Sequence, residues 1–218
     1  MNKLIKTIKD KRNDVLFKKL LNFINRKTNK KKKKIILDLG SGKECFVAKK
    51  LQKKSKLAKK YTYLNYDFFN KKEIIENKKK GLKCLSLRNV KKQHSDIIIL
   101  NDTLHHIFHK KIDYNEVGKY FNKLLKKTDC IFIKDHFVKN YFDVIILKIM
   151  DWIGNKDNPF SKLPNNYFEK KKFLKILKKN RIIIKNLSTK TKYYPSIFLF
   201  FSRSALHFTA ELYKDKSN

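Results

Sequence analysis

Cysteine is scarce in this chain. Cys45, Cys84 and Cys130 are odd in number and show no Cys-x-x-Cys or Cys/His ligand spacing. A disulfide framework and a zinc site are both unsupported, so no metal is expected and a reducing, cytoplasmic setting fits best. Long apolar runs are absent too. The opening MNKLIKTIKDKRND has no uninterrupted apolar segment, and nothing reaches the ~18 apolar residues needed to span a bilayer. That leaves a soluble protein, with peripheral membrane contact open. Acidic residues number only 19 against 55 Lys+Arg, a formal net charge of +36. Arginine contributes only Arg12, Arg26, Arg88, Arg181 and Arg203, so the cationic surface lacks the bidentate forks favoured in reading phosphates and bases. Few Gly, Pro and Ala beside abundant Lys, Asn, Ile, Phe and Tyr is the composition of an A/T-rich coding sequence. The charge is therefore read as compositional, and a nucleic-acid partner is not favoured.

What is present suffices for one core and one domain, with 41% hydrophobic residues in a chain of 218. Leu4, Ile5, Ile8, Leu16, Leu20, Leu21 and Ile24 recur at helical spacing and predict one or two amphipathic helices in a Lys-rich N-terminal extension, residues 1–33. From 34 to 214 the segments alternate. Strands are predicted at 35–39, 61–66, 82–87, 96–100, 130–133, 181–187 and 206–213. Helices are predicted at 44–59, 72–79 and 142–153, after an Asp113/Glu116 capping box, and from Tyr167 with Asn166 and Glu169 as its cap. Residues 215–218 are expected to form a disordered tail. Continuously apolar strands between helices suit a parallel sheet covered on both faces. The expected fold class is α/β, a Rossmann-like, doubly wound, mostly parallel seven-stranded sheet with helices on both faces.

The stretch Ile35-Ile36-Leu37-Asp38-Leu39-Gly40-Ser41-Gly42 is a buried strand running into a Gly turn and then a helix. Glycines there let the backbone approach a ligand, and the helix start offers unpaired N–H groups. The next strand ends in Tyr66-Asp67, where a carboxylate can accept both hydroxyls of a ribose.

This stretch resembles motif I of the class I S-adenosylmethionine-dependent methyltransferases, which reads hydrophobic, acidic, hydrophobic, Gly-x-Gly-x-Gly. Asp38, Gly40 and Gly42 match it, and Glu44 stands where the third Gly is usual. Ser95 to His106, ending Leu104-His105-His106, resembles the family's fourth strand and the turn after it. The family often carries an acid after the third strand for the adenine amino group. Here that region reads Ser86-Leu87-Arg88-Asn89, which leaves adenine to backbone groups, Ser86 or Asn89. Lys134-Asp135-His136, Met150 to Asn155 and Pro164 to Tyr167 resemble an uncharacterised bacterial small-molecule methyltransferase subgroup. The resemblance implies S-adenosyl-L-methionine as cofactor, held around Asp38, Gly40, Ser41, Gly42, Asp67 and Asn101. A nicotinamide-dependent dehydrogenase would share the Gly loop and the acid, but the Leu-His-His turn fits it poorly.

Methyl transfer needs in-line approach of a nucleophile, a dry site and sometimes a base. His106 and His136, placed where the fourth and fifth strands open onto the crevice, are the candidate bases, and Asp135 is expected to orient an imidazole or bind the acceptor. Trp152, Tyr167, Tyr193 and Tyr194 are candidate walls of an acceptor pocket. Asn101-Asp102-Thr103-Leu104 does not resemble the Asn-Pro-Pro-aromatic motif of base-amino methyltransferases. The expected activity is methyl transfer to a small-molecule or lipid-like acceptor. The alternatives are an RNA methyltransferase using the Lys-rich surface, and a non-catalytic basic binding protein on a methyltransferase fold.

Overall fold

A computed structural model describes residues 2–27, 34–42, 45–53, 60–68, 70–154, 166–189, 191 and 206–215. Runs rich in Ile and Leu form the centre of its sheet. Strands β1 (Lys34–Leu39), β2 (Tyr61–Tyr66), β3 (Lys83–Cys84), β4 (Ser95–Asn101) and β5 (Thr128–Val138) are parallel, in the order β3-β2-β1-β4-β5. Two-residue β6 (Phe168–Glu169) pairs with the end of β5. Beyond β5 lies β8 (His207–Lys214), antiparallel to it, and then β7 (Ile182–Ser188), antiparallel to β8. The sheet is the mostly parallel, doubly wound one expected, with seven strands along its path and β6 beside it.

Helices α1 (Asn2–Lys27), α2 (Phe46–Gln52), α3 (Lys71–Lys79), α4 (Leu87–Lys92), α5 (Leu104–Ile107), α6 (Tyr114–Leu125), α7 (Tyr141–Gly154) and α8 (Lys170–Lys179) complete the described residues. Strand alternation decides which helices cover which face. Ile36, Ile97, Ile99, Cys130 and Phe132 cluster with Leu16, Phe17, Leu20, Phe23 and Ile24 of α1 and Val47 and Leu51 of α2. Leu37, Ile98, Leu100, Ile131 and Ile133 cluster instead with Val117, Phe121 and Leu125 of α6 and Phe173, Ile176 and Leu177 of α8. Residues 2–27 of the segment expected as an N-terminal extension thus form a single helix that makes a layer of the core. Its Arg26 reaches Glu211, a buried carboxylate on β8.

Some elements depart from the sequence reading, each for a local reason. Strand β5 runs past Ile133 because Lys134, Asp135 and His136 pair with Thr209, Phe208 and His207 of β8. The strand expected to reach Leu87 ends at Cys84, since the Ser86 hydroxyl accepts from the Asn89 N–H at 3.4 Å and caps α4. The helix expected from Tyr167 starts at Lys170, because Phe168 and Glu169 are taken up pairing with β5. Asp113 does cap α6, accepting from the Asn115 and Glu116 N–H groups at 2.8 and 3.4 Å, while the Glu116 carboxylate pairs with Lys119 at 2.8 Å. Glu44, Pro159, Pro164, Tyr193, Tyr194 and the last three residues lie outside the described residues.

Phe23 is fully buried, its ring centroid 5.2 Å from that of Phe132. Phe23→Ala should therefore lower unfolding stability by about 3–5 kcal/mol in denaturant titration. A loss under about 1 kcal/mol, the size expected of an exposed position, would contradict α1 as a core layer.

Candidate active site

The sheet reverses its winding between β1 and β4, and a doubly wound sheet binds its ligands beyond the carboxyl ends of the strands at that point. The Gly40–Gly42 loop leaves β1 there. Gly40 and Gly42 have φ of +83° and +68°, a region that side chains disfavour. The Gly40 and Ser41 N–H groups donate to the Tyr66 carbonyl at 2.8 and 3.1 Å, clamping the loop to the end of β2. Asp67 completes the clamp, one carboxylate oxygen accepting from the Gly42 N–H and the other from the Phe68 N–H, each at 2.7 Å. A Cβ on Gly40 would meet the Thr103 side chain at 2.2 Å, so the turn after β4 lies against this loop. Among the described residues, a Cβ on Gly42 would meet nothing within 4 Å. The backbone at Gly42 therefore faces open space.

Asp38 and Asn101 flank the same crevice. The Tyr63 hydroxyl donates to Asp38 Oδ2 at 2.9 Å, whereas Asp38 Oδ1 and Asn101 Oδ1 are buried without a hydrogen bond among the described residues. Burial, with the nearby Asp67 charge adding to it and the Tyr63 bond opposing it, pushes the Asp38 carboxyl up to about 7. Ser41 is half-buried in the loop, its hydroxyl 3.8 Å from the Cys45 sulfur.

On β5, alternation sends Asp135 to one face and Lys134 and His136 to the other. Asp135 is fully buried and its lone pairs are occupied. Oδ2 accepts from the Leu104 and His105 N–H groups at 3.0 and 3.3 Å, and Oδ1 meets His105 Nδ1 at 2.6 Å and the His136 N–H at 2.8 Å. Thr103 makes no side-chain cap for α5, so Asp135 satisfies the first N–H groups of that helix instead. Burial disfavours charge on His105, yet Asp135, Asp151 and Asp102 together raise its pKa to about 9. Asp151 of α7 stands 3.5 Å from His105 Nε2 and accepts from the Tyr167 hydroxyl at 2.5 Å.

Across the sheet, Asp102 pairs with Lys134 and lies 3.8 Å from both His136 Nε2 and an Arg12 nitrogen of α1. Burial would raise the Asp102 pKa, but Lys134 foremost, with its other basic neighbours, holds it at about 2. Burial and the Lys134 charge lower His136, leaving it neutral near pH 7. His136 Nδ1 lies 3.4 Å from Asp135 Oδ1, and its ring centroid is 4.5 Å from that of His207. His106 is half-buried, its ring centroid 4.2 Å from that of His105.

Among the described residues, His105, His106 and Asp151, and likewise His105, Asp135 and His136, bring one potential metal-ligating atom each within 4.8 Å of one another. In the second set Asp135 has no lone pair to spare.

The structure thus gathers Asp38, Gly40, Ser41, Gly42, Asp67 and Asn101 around the switch point, and His106, Asp135 and His136 beside it. Trp152 is exposed, and Tyr167 is buried against Asp151. His105, Asp151 and His207 were not singled out. His105 and Asp151 lie inside stretches the resemblance had marked, whereas His207 carries no local signal, since only the β5–β8 register sets it opposite His136.

No protein-family model and no curated protein matches the sequence. Solved structures do share its architecture. A cyclopropane-fatty-acyl-phospholipid synthase-like protein from Lactobacillus casei superposes with a TM-score of 0.57 at 10% identity, over 95% of this chain and 92% of that one. The fold is that of methyltransferases. Magnesium protoporphyrin IX methyltransferase from Synechocystis, solved with bound SAH, gives 0.57 at 14% identity over 97% of this chain and 85% of that one. An S-adenosylmethionine-dependent methyltransferase from Clostridium acetobutylicum gives 0.57 at 14% identity over 94% and 92%.

The raised His105 pKa has a consequence for stability. An imidazole above its unfolded value stabilises fully below about 6.5 and loses that contribution as pH rises through about 9. Thermal stability of the wild type should therefore fall between pH 7 and 9. His105→Gln should melt lower at pH 7 and show a flatter profile over the same interval. An equally steep decline in that variant would place the titration elsewhere.

Proposed function

We propose that the protein is an S-adenosylmethionine-dependent methyltransferase acting on a small-molecule or lipid-like acceptor. The observation carrying this reading is the Gly40–Gly42 loop, clamped by Asp67 at the switch point with its Gly42 backbone facing open space. The residues present fit the cofactor. Asp67 offers carboxylate oxygens to ribose hydroxyls, Gly42 leaves room for close approach, and the unpaired Asp38 Oδ1 and Asn101 Oδ1 suit an ammonium or amide donor. S-adenosylmethionine, when bound, supplies an electrophilic methyl group on a sulfonium.

The chain's own contribution is positioning and a proton acceptor. His136, neutral near pH 7, is the base we assign, whereas His105 is already protonated and cannot serve. Asp135 touches backbone and imidazole groups, so it acts as a positioning residue by holding α5 and His105 in place. His106 stands next to His105 as a second candidate contact to the acceptor.

S-adenosylmethionine or S-adenosylhomocysteine should raise the melting temperature, because a ligand selecting the native state stabilises it by mass action. Absence of any shift at millimolar ligand would remove the cofactor assignment. Asp67→Ala should weaken that binding by about 1.5–3 kcal/mol in calorimetry.

His136→Ala should lower turnover by about 10²- to 10⁴-fold while leaving cofactor affinity near wild type. Asp135→Asn should instead lose on the order of 3 kcal/mol of stability, since it leaves the buried His105 charge without its partner. Equal thermal loss in both variants would make His136 structural as well.

A further inference from the structure

Helix α7 is apolar on almost every side. Its three charged residues are Asp143, Lys148 and Asp151. Asp143 is buried and accepts from the Lys139 N–H at 2.9 Å, and Asp151 points inward to His105 and Tyr167. Ile146 and Leu147 pack into a small core with Val138, Tyr167 and Leu206. The opposite side carries Tyr141, Phe142, Ile145, Ile149 and Trp152, which are 77, 54, 38, 44 and 58% exposed. Positions 141, 145, 149 and 152 follow helical spacing, so these side chains form one continuous stripe. A contiguous apolar patch of this kind on a surface marks an interaction site.

The surroundings of the stripe are cationic. Lys139 precedes the helix and is exposed, and Lys148 is half-exposed on it. The chain as a whole carries +36. Fourteen helical residues span about 21 Å, short of the ~30 Å hydrocarbon layer, and no helix among the described residues is long and apolar enough to cross a membrane. An aromatic-rich apolar stripe rimmed by lysines on a helix too short to span is the pattern of an element lying in a membrane interface.

We propose that the outer face of α7 docks the protein onto an anionic lipid bilayer, with Tyr141, Phe142, Ile145, Ile149 and Trp152 inserted at the headgroup level. The inner face of the same helix holds Asp151 at the candidate active site, so docking sets that site beside the lipid surface and favours an acceptor resident in the bilayer. Docking itself needs neither cofactor nor turnover, so its failure would leave the methyltransferase reading untouched.

The test uses the full chain without cofactor. Trp152 is the sole tryptophan and lies on the stripe, so its emission reports this face alone. With vesicles of phosphatidylglycerol and phosphatidylcholine, Trp152 emission should shift to the blue and be quenched by bromine-labelled acyl chains. Pure phosphatidylcholine vesicles should bind more weakly. Ile149→Glu should reduce partitioning at least about tenfold with an unchanged melting temperature. Phe142→Glu is the second variant should the first fail to fold.

Three outcomes overturn the proposal. One is an unshifted Trp152 with anionic vesicles. Another is vesicle binding that leaves Trp152 unquenched and is indifferent to both variants, which would assign the binding to the Lys surface alone. The last is a concentration-dependent dimer in light scattering that Ile149→Glu dissolves, which would assign the face to a second copy of the chain.

Discussion

Asp135 accepts hydrogen bonds from three backbone N–H groups and one imidazole in a place without solvent. A buried carboxylate is tolerated only when such partners replace water, and here the partners come from separate parts of the chain. Two of the N–H groups begin α5, so the turn after β4 is fixed by a residue on β5. The imidazole belongs to His105, whose other nitrogen faces Asp151, which brings in α7 and, through its hydroxyl bond, Tyr167. The Leu-His-His turn in turn fixes Thr103 against Gly40, so the shape of the Gly loop depends on the same anion.

Much of this was legible in the sequence. The apolar runs of β1 and β4, the Gly-x-Gly turn and Asp67 are local patterns, and they lie where their spacing places them. The fifth strand was shortened because Lys134-Asp135-His136 reads as polar and therefore as loop. Those residues stay in the strand because β8 and a buried charge network satisfy them, and neither is visible from position 134. The helix at Leu87 was missed because Leu85-Ser86-Leu87 alternates like a strand, whereas the Ser86 hydroxyl turns it into a cap. Asp135 as the cap of α5 comes from a residue 31 positions further on, beyond any window that reads helix starts.

The two sides of the sheet divide the chemistry. On the α6 side, Asp135 stabilises a protonated His105. On the α1 side, burial and the Lys134 charge keep His136 uncharged beside Asp102, which pairs with Lys134. His105 and His136, with ring centroids 5.1 Å apart, thereby reach opposite protonation states without any change of fold. Most of the lysines that dominate the composition take no part. Lys134 does, because it is the one buried on β5 against a carboxylate.

The ion pair between Arg26 and Glu211 joins residues 185 positions apart. Helix α1 precedes every strand it covers in the chain, and the carboxylate it grips lies on β8, after all the other described strands. A nascent chain therefore holds the apolar stripe of Leu16, Leu20, Phe23 and Ile24 without its final cover until β1, β4 and β5 have followed it. Exposed Lys11 and Lys18 put like charge on that helix, and like charge opposes association between copies while the stripe waits for its cover.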